Sequence, residues 1–354
     1  MVITQPERNG NLAVVLQEVG RLQTEDRAVP QPAPGEAQVR VEVVTICGSD
    51  VHYFEHGRIA DFVVDAPLVL GHETAGVVTV VGEGVDQALV GARVTLEPGV
   101  SCGHCQACTS GRYNLCPDMA FFATPPYDGS LQQFVTLPAH LTHVVPAEMP
   151  LEHAALLEPL AVAVMACRAA RLVGGERVLV TGAGAIGLLC AQVAYALGAS
   201  RVELSDIDPV RLQRAHEHGV PHTRPTNEID GLMVDVLLEC SGAPAALRDG
   251  LAALRPGGTA VAVGFGADPQ VCLPLGTMQI REITLTGTFR YANAYPTAIA
   301  LAHDGRVRLD GLIGASFPLS RTAEALRAAR EQPGVLRAAV YPQRWTDDTD
   351  GRAT

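Results

Sequence analysis

Runs rich in valine mark the first part of the chain, over 38–44 and again over 76–81. They are punctuated by turn signals such as Gly82-Glu83-Gly84 and Pro98-Gly99. Valine-rich runs separated by such turns predict an antiparallel β region. From about residue 160 the pattern changes. A short apolar run at 178–180 leads through a glycine turn into an Ala/Leu-rich segment at 186–197. The alternation continues with apolar runs at 202–204, 234–238 and 260–263 and a last one at 283–285. Strands alternating with helical segments predict a doubly wound parallel sheet. Further on, 297–301 and 322–330 read as helices, and the polar tail 346–354 is expected to be disordered.

Composition narrows the functional classes. At 354 residues the chain is long enough for two domains. Its formal charge of −12 offers no electrostatic footprint for nucleic acid or an anionic membrane. All 26 basic residues are arginine and none is lysine, which excludes a lysine Schiff base and a P-loop lysine. The first ten residues lack the pattern of a secretory signal, and the most apolar stretch, 160–167, is far short of a membrane span. A cytoplasmic location is therefore expected. In that reducing setting the nine cysteines are expected to serve metal or catalysis rather than disulfides.

The glycine turn carries the first chemistry. In Val178-Leu-Val-Thr-Gly-Ala-Gly-Ala-Ile-Gly187, a G-x-G-x-x-G sits between a predicted strand and a predicted helix. Gly182 permits the tight turn, Gly184 lets a pyrophosphate approach the backbone, and Gly187 lets the helix pack on the sheet. Asp206 follows Gly187 by 19 residues, at the end of the next strand. A carboxylate there binds the ribose hydroxyls of NAD and repels the extra phosphate of NADP. Asp208, followed by Pro209, is read as a helix N-cap instead. The nucleotide site is expected to draw on Gly182, Gly184, Ala185, Ile186, Gly187, Asp206, Arg211, Ser241 and Gly264.

Two constellations suit metal. Cys102, Cys105, Cys108 and Cys116 form C-x-x-C-x-x-C-x7-C, four thiolates close enough to make a tetrahedral site. The spacing before the last cysteine differs from the bacterial iron–sulfur run, so zinc is favoured. Lacking an open position, such a zinc organises a lobe rather than a reaction, and His104 inside the loop is expected to face solvent. The second constellation is dispersed over Cys47, the pair His72-Glu73, and Glu158. Thiolate, imidazole and carboxylate bind zinc while leaving room for water or substrate, and a zinc Lewis acid stabilises an alkoxide.

With these residues in hand, nearly the whole chain resembles the zinc-containing medium-chain dehydrogenases, in particular their sorbitol and xylitol dehydrogenase branch. The resemblance is carried by CGSDVHYFEHGRI (47–59), PLVLGHETAGVV (67–78), GRYNLCP (111–117), FFATPPYDGS (121–130), LLEPLAVA (156–163) and TFRYANAYP (288–296). It implies an α/β architecture: a GroES-like, mostly antiparallel catalytic domain over 1–160, including the cysteine lobe at about 100–117, and a Rossmann domain over 161–290. The chain over 291–354 then returns to the catalytic domain, and the active site lies in the cleft.

The resemblance further implies that Cys47, His72 and Glu73 are catalytic zinc ligands, with Glu158 near the fourth position directly or through water. Ser49 and His52 match a proton relay, and Asp50 orients His72. Tyr53, Phe121, Thr124, Arg290 and Tyr291 match positions lining a polyol pocket. Arg290, with its fixed fork of donors, suits a chain of hydroxyls. The implied activity is NAD-dependent oxidation of a polyol to the ketose by a zinc enzyme, a tetramer more readily than a dimer. The alternatives are a sister dehydrogenase for threonine, a sugar acid such as idonate or a simple alcohol, and a non-catalytic NAD-binding protein.

Overall fold

A computed structural model of the chain describes residues 10–266, 270–332 and 334–345. The stretch before residue 10 and the tail 346–354 lie outside them. Contacts divide the described chain into two units. The first comprises the chain up to Gly103, Cys116–Glu158 and the chain from Gly311 onward; the second comprises His104–Leu115 and Pro159–Asp310.

The first unit is built on a seven-stranded sheet. Its centre is Glu36–Thr45, which pairs antiparallel with Glu73–Val81 on one side and carries both Phe134–Pro138 and Arg337–Tyr341. Glu73–Val81 continues through Arg93–Leu96 to Thr142–Val144. The valine runs read from the sequence are therefore adjacent antiparallel strands of one sheet. Their apolar residues enter a core with Leu16, Leu68, Leu96, Leu131 and Leu137. At the far edge Ile313–Pro318 pairs parallel with Arg337–Tyr341, joined through the helix Thr322–Glu331.

The second unit holds a six-stranded sheet in which every pair is parallel. Ordered across the sheet, the strands are His222–Pro225, Arg201–Asp206, Arg177–Thr181, Val234–Glu239, Leu254–Ala262 and Thr284–Gly287. This is the doubly wound order, reversing direction beside the first strand, at the crevice where dinucleotides bind. The expected runs at 178–180, 202–204 and 234–238 fall within these strands, while those at 260–263 and 283–285 each extend one residue beyond theirs, Val263 and Ile283. The helix expected at 186–197 is Ala185–Ala196. The polar strand His222–Pro225 gave no apolar signal.

The units depart from the sequence-based domain limits in two places. The segment 104–115 and the segment up to Asp310 group with the parallel sheet. Part of the reason is local bonding: Asn114 and Tyr113 bond to Phe289 and Asn293, and Gln192 exchanges two hydrogen bonds with the backbone of Arg308. The apolar run at 160–167 belongs to the helix Leu157–Ala169. Among the described residues no helix is long and apolar enough to cross a membrane.

Candidate active site

Sheet register brings the dispersed metal candidates together. Cys47 stands just beyond the end of Glu36–Thr45, while Glu73 opens the neighbouring antiparallel strand directly opposite Thr45. His72 precedes Glu73, after Gly71 at φ 91°. A side chain at Gly71 would strike Leu131 and Val44 at 2.9 Å, so glycine is required there on two counts. The result is that one ligand atom each from Cys47, His72 and Glu73 lie within 4.8 Å of one another.

Asp50 is fully buried behind this cluster. Its Oδ2 accepts from the Cys47 N–H at 3.0 Å and its Oδ1 from the Gly71 N–H at 2.9 Å. Oδ1 also lies 3.6 Å from His72 Nδ1. Burial alone would raise the Asp50 pKa, but the neighbouring His72 and the two backbone donors hold it below the usual carboxylate value. Burial likewise works to lower the His72 pKa, and the Asp50 charge outweighs it, raising the imidazole well above its ordinary value. A carboxylate behind a ligand histidine fixes the ring and strengthens it as a donor.

Nothing in its local pattern marks Arg337. Its guanidinium is buried, 3.0 Å from Glu73 Oε1, and it donates to the Ile46 carbonyl at 2.9 Å. Desolvation opposes its charge, yet Glu73, then Cys47 and Glu158, outweigh desolvation and raise it above the ordinary arginine value. Glu73 Oε2 accepts from the Thr45 hydroxyl. Its Oε1 is buried with no aligned hydrogen-bond donor, which leaves a lone pair suited to a metal. Glu158 is buried and acts on Arg337 through its charge, but it stands outside the three-ligand set.

Ser49 and His52 lie on the helix Gly48–His56, three residues apart and so on one face. Both are half-buried, and the His52 ring is 5.7 Å from that of His56. Tyr53, Phe121 and Thr124 are buried in the same unit, Phe121 with its ring 5.8 Å from His72. Arg290 and Tyr291 belong to the second unit. Arg290 lies over the Phe289 ring at 4.6 Å, and Tyr291 packs edge-on against the buried Tyr295 at 5.5 Å.

The four lobe cysteines also converge, their sulfurs within 4.8 Å of one another. Cys105 caps the short helix Gln106–Thr109, and the Cys102 N–H points to the Cys116 sulfur at 3.4 Å. His104 is exposed, as expected.

In the parallel sheet the glycine turn fits a dinucleotide. A Cβ on Gly187 would lie 1.8 Å from the Gly182 carbonyl oxygen, and one on Gly182 would meet the Ser241 backbone at 2.9 Å. At Gly184, the N-cap of Ala185–Ala196, nothing lies within 4 Å. The backbone is thus tight where strand meets helix and open where a pyrophosphate approaches. Asp206 accepts from the Ala183 N–H at 2.6 Å and the Asp208 N–H at 2.9 Å. Asp208 caps its helix through the Val210 N–H, as read from the sequence, and Arg211 is exposed, 3.7 Å from Asp208.

Ser241 and Gly264 are organised by a residue the sequence reading passed over. Glu239, buried at the end of its strand, accepts from the Ser241 N–H and hydroxyl and from Gly242, while its carbonyl takes the Gly264 N–H. Ile207, beside Asp206, is 89% exposed.

Comparisons agree with this geometry. Residues 33–147 match the alcohol dehydrogenase GroES-like domain, and 185–304 match the zinc-binding dehydrogenase domain. A sorbitol dehydrogenase of Gallus gallus is 40% identical over 337 residues, covering 92% of this chain and 95% of its own. One of Bacillus subtilis is 38% identical over 343 residues, covering 94% and 97%. Among solved structures, an oxidoreductase/dehydrogenase of unknown specificity from Escherichia coli superposes with TM-score 0.88 at 30% identity, covering 94% of this chain and 99% of its own. With its antiparallel and parallel sheets, its two metal clusters and its nucleotide turn, the chain belongs to the zinc-containing medium-chain dehydrogenases, in their sorbitol and xylitol dehydrogenase branch.

Proposed function

We propose that the protein oxidises a secondary hydroxyl of a sugar alcohol such as sorbitol or xylitol to the ketose, with NAD as acceptor. The convergence of Cys47, His72 and Glu73 on one point carries this reading. When bound, zinc supplies the Lewis acid that favours a deprotonated hydroxyl, and NAD supplies the hydride acceptor. Cys47, His72 and Glu73 hold the metal, and Glu158 acts on that centre directly or through water. Asp50 keeps the His72 ring in its ligating orientation. Arg337 offsets the buried charge of Glu73. Ser49 takes the hydroxyl proton and His52 passes it to water.

Tyr53, Phe121, Thr124, Arg290 and Tyr291 position the polyol, with Arg290 donating to its hydroxyl oxygens. Gly182, Gly184, Ala185, Ile186 and Gly187 cradle the pyrophosphate, and Asp206 holds the ribose. Ser241, Gly264 and Arg211 complete the rim of that site. Cys102, Cys105, Cys108 and Cys116 hold the second, structural zinc. A cytoplasmic homotetramer with a small-molecule substrate belongs to the same proposal.

The test is the initial rate of NADH formation by zinc-replete protein across sorbitol, xylitol, galactitol, idonate, threonine and ethanol. Rates concentrated on the polyols are expected. Activity confined to threonine, idonate or ethanol would keep the metal chemistry and overturn the assignment of the pocket.

A further inference from the structure

The segment 289–293 carries Arg290 and Tyr291, and its backbone is unusual. Arg290 has φ 53° and Asn293 φ 54°, both in the left-handed region that side-chain-bearing residues seldom occupy. Such a conformation persists only where surrounding structure imposes it. The bonds that do so come largely from one place. Asn114 donates from Nδ2 to the Phe289 carbonyl at 2.9 Å, and the Tyr113 hydroxyl accepts from the Asn293 N–H at 2.7 Å. Asn293 in turn donates from Nδ2 to the Gly111 carbonyl at 3.2 Å. All three partners lie between Cys108 and Cys116 of the four-cysteine lobe. On the other side Arg168 donates to the Asn293 carbonyl at 2.9 Å.

The lobe is thus more than a folded appendage. Asn114 is 3% exposed, and the turn Tyr113–Leu115 runs directly into Cys116. Fixing the four sulfurs fixes the ends of the loop that presents Gly111, Tyr113 and Asn114. We infer that the cysteine lobe is a strut for the substrate segment: Tyr113 and Asn114 are positioning residues that set the backbone of 289–293, and with it Arg290 and Tyr291, for the substrate. This inference rests on the proposed role of Arg290 and Tyr291 toward a polyol.

The test uses the zinc-loaded full chain with Tyr113→Phe and Asn114→Ala, each removing one bond to the segment. Hydrogen exchange of the amides over 289–293 is expected to speed up, with the metal content of both clusters and the affinity for NADH unchanged. The KM for the polyol identified by the rate panel is expected to rise about tenfold per variant, the scale of one lost hydrogen bond, with kcat little altered. Unchanged exchange overturns the strut, and so does a variant that sheds lobe metal and weakens NADH binding together, because the lobe then serves general stability. Faster exchange with an unchanged KM also overturns it, provided Arg290→Met raises KM. If Arg290→Met leaves KM unchanged, the polyol reading of the pocket falls, and the exchange rates alone decide whether the lobe sets the segment.

Discussion

One carboxylate, Asp50, holds three parts of the metal cluster: the backbone of Cys47, the backbone of Gly71 and the ring of His72. Replacing it by asparagine keeps the volume but removes the charge facing the imidazole. Zinc affinity at the Cys47–His72–Glu73 cluster is expected to fall about 10- to 100-fold in Asp50→Asn, read by competition with a chromophoric chelator. Asp206 works on the same scale in the other unit. Its oxygens already gather the Ala183 and Asp208 amides, so the carboxylate is fixed before any nucleotide arrives. Asp206→Ala is expected to narrow the preference for NAD over NADP by about 10- to 100-fold, the worth of a charged hydrogen bond. The ratio of kcat/KM for the two nucleotides reads it.

At the scale of elements, the strand His222–Pro225 shows how polar sequence becomes sheet. It has no apolar run, yet it pairs in parallel with Arg201–Asp206 along its whole length. Arg224 anchors it by donating to Glu203 at 2.8 Å, and Arg201 donates to the other oxygen of Glu203 at 2.6 Å. Burial would raise the Glu203 pKa, but the two arginines outweigh it and lower it. A carboxyl whose folded pKa is depressed contributes stability above its unfolded pKa of about 4.3 and loses that contribution as pH falls through the folded value. Glu203→Gln is therefore expected to lower Tm at neutral pH and to flatten the fall of Tm below about pH 4.3. Thermal melts of both proteins across that range check the sign.

Across the whole molecule, Arg337 joins parts of the first unit that are remote in the chain. It reaches Ile46 across 291 residues and pairs with Glu73, both groups buried. The strand Arg337–Tyr341 brings it there by pairing with Glu36–Thr45 beside the cluster. Removing one partner of a buried ion pair leaves the other charge uncompensated. Arg337→Met is expected to cost about 3–5 kcal/mol of stability in the metal-free protein, measured by denaturant unfolding. A loss below about 1 kcal/mol, the range of a solvent-screened pair, would show that water reaches Glu73.

Composition, turn signals and motif spacing were enough for the two sheets, the glycine turn and the convergence of the four lobe cysteines, because each depends on neighbours within a few residues or on chemistry confined to a few residue types. Spacing alone could not show which of the dispersed groups Cys47, His72, Glu73 and Glu158 meet in space. Register places Glu73 opposite Thr45, and one ligand atom each of Cys47, His72 and Glu73 then lie within 4.8 Å of one another, a set that does not include Glu158. Arg337, Glu239 and the Asn114 bond to Phe289 were invisible for the same reason. A polar residue in an ordinary local pattern acquires its role from partners brought beside it only when distant strands pair, and hydrogen bonds and ion pairs act over a few ångströms of space rather than over distance along the chain.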